Sequence, residues 1–532
     1  MSSSQRLAAL SRYHNCESIL TFEDIMPDLP HLRRILSSDT AVLWLLGFGL
    51  AVLHLIAGAG YGFHRDELLT YSNARDLEWG YVVYAPVTAF LARIELVFFG
   101  TSLIGFRSFA AIACGLTAVL TGFMARAIGG GRTAMLIAAF AASIGGAAFF
   151  AGSFMSYMSF DLLWWVATAW CVVRLLQNGN PRWWLGVGTF IGFGLMTKYT
   201  MGFFAVAILA AMLLTPNRSY FRSPWFWSGV ALAMLIVSPN LWWQCHHQFV
   251  SLAWMRSIHT RDIGLGRTDY FFPNQLWKIV NPVALPLVFA GLWFLFRRPE
   301  GKPWRMIGWI FVFTMLALAS ARGRDYYLAP AYPMLIAAGA ACSENWLRSL
   351  AAQRQTRYLL TAWISLGISG LILASLMLPF VPINSSWWRV QDAASNQFNM
   401  QIGWPELAAT VAQVRDSLPA ADRASVGVMA ADEGEAGAVN LYGPIYGLPR
   451  AISGMNSNWL RGYGDPPPQT VIAVGFKPNE LHQIFASCQV AAGLSNPYGV
   501  VNDTFRNRDK VYACRNIRLP WPEFWKHFQY YG

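Results

Sequence analysis

Charged side chains are scarce in this sequence. Asp, Glu, Lys and Arg make up 13% of its 532 residues and hydrophobic residues 55%, whereas about a quarter of the residues in a soluble domain are charged. A bilayer core takes roughly 20 apolar residues per helix. The composition therefore excludes a wholly soluble protein and predicts a multi-pass integral membrane protein.

Apolar segments of suitable length extend from residue 41 to residue 381. We predict about eleven spans among them, some of which are short. The predicted spans are residues 41–61, 104–125, 133–151, 158–178, 183–197, 200–215, 225–241, 277–296, 305–321, 326–342 and 359–381.

Signatures of several other classes are missing. No nucleotide-binding fingerprint and no repeat of fixed period stands out. No basic run is interleaved with stacking aromatics, so no nucleic-acid partner is expected. The HxxxH and HExxH spacings are absent, which makes a metal site built on His64, His246 and His247 a minor alternative. The sequence assigns no cofactor, and a divalent metal is an open alternative.

The net charge of +12 is explained mostly by the placement of Lys and Arg in short loops. Every second loop is basic, as cytoplasmic loops are. These loops contain Arg126, Arg132, Arg174, Arg182, Arg218, Arg222, Arg297, Arg298, Lys302, Arg305, Arg348, Arg354 and Arg357. The pattern predicts a cytoplasmic N-terminus and, with an odd number of spans, a C-terminus outside the cytoplasm.

The predicted organisation has three parts. Residues 1–40 form a cytoplasmic segment, and residues 41–381 form the membrane domain, whose long outer loops are residues 62–103 and 242–276. Hydropathy falls after residue 381, and residues 382–532 alternate helix and strand patterns. The fold class is therefore mainly α and polytopic, with a small C-terminal α/β domain outside the cytoplasm. Cys488 and Cys514 share that domain, where a disulfide can persist.

The stretch "YGFHRDELLT" places Asp66 and Glu67 directly after the first span. A carboxylate at this depth loses part of its hydration and needs a cation, a metal or a proton. With a raised pKa it makes a good general base. The alternative is a helix-capping or snorkelling pair at a membrane boundary.

Other candidates lie at the outer ends of later spans. Asp161 begins the fourth span, where it could instead cap a helix. Lys198 lies in the turn between the fifth and sixth spans, and Arg322 and Arg324 lie in a later outer turn. Cations on the outer side run against the topological bias, and a lipid phosphate would explain them. Simple snorkelling, or pairing with Asp325, is the alternative.

The stretches "FHRDELLTYSNARDLEWGYVVYAPVTAFLARIELVFFGTSLIGFRSFAA", "SFDLLWW", "GLMTKYT" and "GRDYYLAPAYP" together resemble the membrane glycosyltransferases of the protein O-mannosyltransferase superfamily. Its bacterial branch includes the lipid A aminoarabinose transferase. The similarity extends over most of residues 41–380. The stretch "GEAGAVNLYGPIYGLPRAISGMNSNWL" and the Cys488 and Cys514 pair resemble the outer domain of bacterial members. The resemblance implies the GT-C architecture and a sugar donor linked to polyprenyl phosphate.

The resemblance also implies roles for individual residues. The expected catalytic residues are Asp66, as the base, its neighbour Glu67, and Asp161, which assists at the same site. The expected donor-phosphate ligands are Lys198, Arg322, Arg324 and Arg65. Apart from the resemblance, the two long outer loops look like lids over a site, and the expected acceptor or lid residues in them are His64, Tyr84, His246, His247 and Arg256. Many relatives have an acid, a His or a Lys before the proline that corresponds to Pro86, where this chain has Tyr84 and Ala85, which indicates a different acceptor or reduced activity.

The predicted function is transfer of a sugar from a polyprenyl phosphate to an envelope acceptor by one inverting displacement. The acceptor could be lipid A, a polysaccharide, a glycolipid or a protein, and membrane lipids are further partners. The predicted location is a bacterial inner membrane with a periplasmic C-terminal domain. The alternatives are a secondary transporter or lipid flippase, and a noncatalytic envelope protein that binds glycolipid.

Overall fold

The computed structural model describes residues 38–395 and 397–532. The predicted cytoplasmic segment, residues 1–40, lies outside the described residues as far as residue 37. The first part of the described chain is almost entirely helical, as its long apolar runs predict. Its helices are α1 (Asp39–Gly58), α2 (Arg65–Arg75), α3 (Val87–Phe99), α4 (Leu103–Phe106), α5 (Ser108–Ala127), α6 (Arg132–Ser143), α7 (Gly146–Ser153), α8 (Tyr157–Asn178), α9 (Trp183–Leu195), α10 (Met201–Leu213), α11 (Pro224–His246), α12 (Val250–Gly264), α13 (Phe271–Asn274), α14 (Leu285–Arg297), α15 (Arg305–Ser320), α16 (Tyr332–Leu347) and α17 (Ala352–Met377).

Within the described residues, six helices are long and apolar enough to cross a membrane. They are α1, α5, α8, α11, α17 and the segment 299–320 that contains α15. Three bent pairs of helices raise the number to nine if each pair is one span, for example α6 with α7, which meet at 71°. Every predicted span overlaps an observed helix, but a total of eleven spans is not established. The protein is a multi-pass membrane protein.

The C-terminal part forms a small domain around a five-stranded sheet. Its helices are α18 (Ser386–Ser395), α19 (Trp404–Ser417), α20 (Ala420–Arg423), α21 (Glu433–Tyr442), α22 (Pro478–Ile484) and α23 (Trp521–His527). Its strands are β1 (Val426–Ala430), β2 (Ala451–Ile452), β3 (Thr470–Val474), β4 (Phe485–Gly493) and β5 (Lys510–Ile517). The strand order is β2-β1-β3-β5-β4. Strand β1 runs parallel to β2 and β3, whereas β5 runs antiparallel to both β3 and β4.

Cys488 and Cys514 face each other on β4 and β5 and form a disulfide. Helices and strands alternate along this domain, as the sequence pattern predicts. The stretch "KPNELHQIFASC" is helical only in α22, which ends at Ile484. There the chain enters β4, because Phe485 and the residues after it pair with β5.

The sheet domain packs on the membrane domain through α2. Helix α21 approaches α2 so closely that a Cβ added at Gly437 would lie 2.6 Å from Leu68 Cβ, and one at Gly434 would lie 2.5 Å from Arg65 Cγ. Leu68 and Tyr71 of α2 share one buried cluster with Trp404 and Val428 of the sheet domain. Helix α2 is therefore enclosed between the two domains, at what we call the domain-side end of the helix bundle.

Candidate active site

Glu67 anchors α2 to the membrane domain. Its buried side chain accepts hydrogen bonds from the backbone N–H groups of His64 at 2.8 Å and Met155 at 2.9 Å. Arg107, which is also buried, donates to both Glu67 carboxylate oxygens and to two backbone carbonyls near the end of α1. Both oxygens are thus occupied by structural bonds. The structure gives Glu67 the surroundings of an anchor rather than those of the catalytic acid expected from sequence.

Asp66, the adjacent residue, is in a more open environment. Its side chain is 35% exposed, and its carboxylate is 3.4 Å from the Arg65 guanidinium. Partial burial raises the pKa of Asp66, but His64, Arg65 and Arg324 lower it by more, so the pKa lies below its usual value. The expected rise in pKa is therefore wrong: neighbouring cations outweigh desolvation. Asp66 is ionised at neutral pH.

His64 forms the N-terminal cap of α2. Its Nδ1 accepts a hydrogen bond from the Asp66 N–H at 3.1 Å, which leaves the ring proton on Nε2, 3.1 Å from Gln397 Oε1. The ring stacks on Phe154 with 4.5 Å between centroids. Burial lowers the pKa of His64. Both nitrogens are engaged, so His64 fixes the start of α2, and any contact with an acceptor requires it to move.

Lys198 lies in a cage of tyrosine rings. Its Nζ is 4.4 Å from the ring centroid of Tyr157, 5.0 Å from that of Tyr326 and 4.2 Å from that of Tyr327. Tyr157 begins α8, and the other two belong to a short helical turn, Asp325–Ala331, after α15. Within the described residues Lys198 has no carboxylate within 4 Å, and the cage holds its charge by cation–π attraction.

Asp161 lies one turn along α8 from Tyr157. Its carboxylate accepts hydrogen bonds from Trp165 Nε1 at 3.0 Å and from Thr200 Oγ1 at 3.4 Å. It is close enough to Lys198 for their charges to interact. The buried Asp161 is thus held near Lys198.

Arg324 connects the cage to Asp66. Its Nη1 donates to the Tyr326 hydroxyl at 3.4 Å, and its charge acts on Asp66. Its Nε donates to Asp262 at 2.6 Å. The structure therefore brings Asp66, Arg324 and Lys198 together at the domain-side end of the bundle.

Tyr84 is buried beside this cluster. Its hydroxyl accepts a hydrogen bond from Asn73 Nδ2 at 2.7 Å, and its ring centroid is 5.9 Å from that of Tyr157. Burial raises the pKa of Tyr84 to about 12. Tyr84 thus lies between the tyrosine cage and α2. Many relatives are expected to have a charged side chain at this position.

Four other predicted residues lie outside this cluster. Arg322 and Arg256 are exposed, and Arg322 adopts a positive φ of 47°. Nδ1 of His246 and Nδ1 of His247 each bond to a backbone carbonyl of α11, and His247 also stacks on Trp243. Among the described residues, no three His, Cys, Asp or Glu side chains are placed to hold a metal ion.

Sequence reasoning missed three contributions to the site. The tyrosines of the cage carry no charge and drew no attention. Asp262, on α12, is buried among arginines. Glu433 begins α21 of the sheet domain and interacts electrostatically with Arg65 and Asp66. The available signal for the third was "DEGE", in which Asp432 and Glu435 form a capping box that starts a helix.

Comparisons with known proteins agree with this arrangement. Residues 83–243 match the family of dolichyl-phosphate-mannose-protein mannosyltransferases. The fold is similar to the crystal structure of ArnT from Cupriavidus metallidurans in the apo state, with a TM-score of 0.58, 15% identity and coverage of 88% of this chain and 97% of that one. The chain has the GT-C fold of ArnT. The resemblance inferred from sequence is thereby confirmed.

Two further relatives bear on the chemistry. The crystal structure of the same ArnT bound to undecaprenyl phosphate has a TM-score of 0.51 and 15% identity, and the match covers 88% of this chain and 97% of that one. The lipid A galacturonosyltransferase RgtD of Rhizobium johnstonii is 30% identical over 122 residues. The match spans 22% of this chain and 24% of RgtD. At these identities the likeness to ArnT establishes the fold.

Proposed function

We propose that the protein is a membrane glycosyltransferase that moves a sugar from a polyprenyl phosphate carrier to an envelope acceptor. The observation that carries the proposal is the convergence of Asp66, Arg324 and Lys198 at one end of the bundle. The reactive bond of a polyprenyl-phosphate sugar lies just outside the hydrocarbon. An enzyme acting on it needs a base and phosphate-binding cations at that depth, and this end of the bundle supplies both.

The proposed reaction is one inverting displacement. An acceptor hydroxyl or amine attacks the anomeric carbon, the bond from that carbon to the phosphate oxygen breaks, and its electron pair leaves with the polyprenyl phosphate. Asp66, ionised in the free protein, takes the acceptor proton, a role that contributes roughly 10²- to 10⁴-fold in other enzymes. Arg324 and Lys198 stabilise the charge on the departing phosphate. No other co-reactant is required.

The remaining predicted residues take different proposed roles. Asp161 positions Lys198 through the attraction between their charges, and Arg65 contributes positive charge beside Asp66. Glu67 serves as the anchor of α2 and not in the chemistry. Tyr84 lines the space beside the reacting groups, where a neutral side chain suits a different acceptor from that of relatives with a charge there.

Relatives guide the choice of substrates to test. One ArnT structure contains undecaprenyl phosphate, which supports a carrier of that class. RgtD is named for its action on lipid A, so lipid A is the first acceptor to test, ahead of polysaccharide, glycolipid and protein.

We infer that the protein lies in a bacterial inner membrane, with the domain-side end facing the periplasm and the N-terminus cytoplasmic. The basic loops support this orientation. Arg126 lies in the last turn of α5 and Arg132 begins α6, at the opposite end of α5 from Arg107. Such basic loops favour the cytoplasmic side.

A secondary transporter or flippase is the competing function. Transporters of known type bind substrate and ions near the bilayer midplane. Here the charged groups gather at one end of the bundle, which favours chemistry at a membrane surface. A noncatalytic glycolipid-binding protein would share the charges but would not require Asp66 as a base.

The decisive experiment compares envelope glycolipids by mass spectrometry in cells with the wild-type protein, without it, and with Asp66→Asn. We expect a sugar-modified glycolipid that appears with the wild type and falls at least 100-fold with Asp66→Asn, a reduction within the usual range for loss of a general base. Glu78→Gln, an exposed acid after the same helix, is the matched control and should retain the product. Full product from folded Asp66→Asn protein would contradict the base assignment, and no product from any form would contradict transferase activity.

A further inference from the structure

Asp262 is a buried acid whose role the proposed reaction does not explain. It lies near the end of α12, in the second long loop, and is 3% exposed. Its carboxylate meets three guanidiniums: Arg324 at 2.6 Å, Arg267 at 3.4 Å and Arg261 at 3.8 Å. One carboxylate therefore pairs with three guanidiniums. The cluster formed by these four side chains has unmatched positive charge.

The bond to Arg324 has a defined geometry. Asp262 Oδ2 accepts from Nε of Arg324, whereas Oδ1 faces Arg267. Nη1 of Arg324 donates to the Tyr326 hydroxyl. Among the described residues, Nη2 has no hydrogen-bond partner. A guanidinium held through Nε keeps a fixed plane and directs its other nitrogens away from the carboxylate, the arrangement that suits bidentate contact with a phosphate.

Arg324 also lies beside the candidate site. Arg324 reaches the tyrosine cage through Tyr326 and acts electrostatically on Asp66. Its side chain is 24% exposed, so a ligand can reach it. Arg65 and Arg261 are also close enough for their charges to interact. The free edge of Arg324 and the unmatched positive charge thus lie next to the groups assigned to the leaving phosphate.

We propose that Asp262 is a positioning residue that orients Arg324 for the phosphate of the lipid carrier. The proposal rests on the proposed function. Asp262 acts on the ligand only through Arg324. Its bond to Arg324 also links the second long loop to the turn after α15. The alternative is that Asp262 only anchors this loop. Asp325, in the same turn as Arg324, forms such an anchoring ion pair with Lys278 at 2.9 Å.

A double-mutant cycle separates the two roles. The measurement is the affinity of the purified full-length protein, in detergent micelles, for undecaprenyl phosphate. We expect Asp262→Asn, which keeps the shape of the side chain, to weaken binding about tenfold, the scale of one charge-assisted hydrogen bond. In the Arg324→Gln background the same change should weaken binding less than twofold. In turnover assays Asp262→Asn should raise the donor KM and leave kcat within about twofold.

The controls keep each outcome decisive. Asp269→Asn removes an exposed acid of the same loop and should leave binding unchanged. Should Asp262→Asn fail to fold, Arg324→Lys replaces it, since it keeps the charge and Asp262 but loses the planar fork, and should weaken binding similarly. An equal loss from Asp262→Asn in both backgrounds, or unchanged binding by Arg324→Lys, would overturn the positioning role. Failure of the wild type to bind undecaprenyl phosphate would instead overturn the proposed donor class.

Discussion

Two charged regions lie side by side at the domain-side end of the bundle, and they differ in how their charges are matched. Around Glu67, one carboxylate faces one guanidinium, and backbone groups take up the remaining bonds. Around Arg324, the single carboxylate of Asp262 is shared among several guanidiniums, and the Lys198 cation is held by tyrosine rings. A closed, one-to-one pair holds structure together, whereas an open and unbalanced cluster has capacity left for a ligand.

We expect the largest effect on stability at the closed ion pair of Glu67 and Arg107. Glu67→Gln leaves Arg107 buried without a countercharge, which destabilises proteins by about 3–5 kcal/mol. We expect a large fall in the thermal unfolding temperature and in the fraction of monodisperse protein. Thermal unfolding in detergent, monitored by tryptophan fluorescence, measures it.

A second variant sharpens this test. Glu67→Gln combined with Arg107→Met removes both charges and should recover part of the lost stability, because an unpaired buried charge is worse than none. The exposed Glu78→Gln should unfold like the wild type. A stable Glu67→Gln protein that has lost only activity would reverse the comparison and return Glu67 to the catalytic groups.

The open cluster should respond in the opposite way. Lys198→Ala removes a cation assigned to the carrier phosphate, and we expect the donor KM to rise roughly 10- to 100-fold, the effect of one or two charge-assisted contacts. The acceptor KM and the unfolding temperature should change little. Steady-state kinetics with a polyprenyl-phosphate sugar provide the measurement, and Lys278→Ala, on a lysine paired with Asp325, is the control for loss of a neighbouring cation. A larger change in acceptor than in donor KM would count against the phosphate role.

The sequence predicted the helices well because long apolar runs are a local signal. It also singled out Asp66 and Lys198, each of which lies close to Arg324 and Tyr157. It could not separate Asp66 from Glu67, although successive residues on a helix point about 100° apart and so meet different neighbours. Arg107, the partner of Glu67, is 40 residues away in the sequence. No local sequence pattern predicts a contact over that separation.

The same limit applies to the second long loop and the sheet domain. Asp262 and Arg324 are 62 residues apart in the sequence. Taken separately, each resembles an ordinary charged residue of a loop. Glu433 belongs to a helix that meets α2 only after the two domains pack. His64 offered a better signal: with Glu67 three residues on, it occupies a capping-box position, although Ser, Thr, Asp and Asn are the usual caps.

Glu433 is intermediate between the closed ion pair and the open cluster, and we expect its replacement to change stability less than Glu67→Gln does. It is buried, and Asn456 donates a hydrogen bond to it at 2.6 Å. Burial raises its pKa to about 8, and Asp432 adds to the shift, while Arg65 opposes it. In the unfolded chain a Glu has a pKa of about 4.3. Between these values only the unfolded state has lost its proton, so stability from this group is present at low pH and is lost as the pH rises to about 8.

Glu433→Gln should therefore raise the unfolding temperature by a few degrees at pH 8, on the order of a 1 kcal/mol gain, and should change it little near pH 5. The wild type should gain more stability than the variant when the pH is lowered over this range. Glu435, whose pKa burial also raises to about 8, keeps part of the pH dependence in the variant, so the two slopes are compared. The exposed Glu523→Gln is the control. Equal slopes for Glu433→Gln and the wild type would show that Arg65 neutralises Glu433 as a closed ion pair, and would place it with Glu67 on the structural side of the comparison.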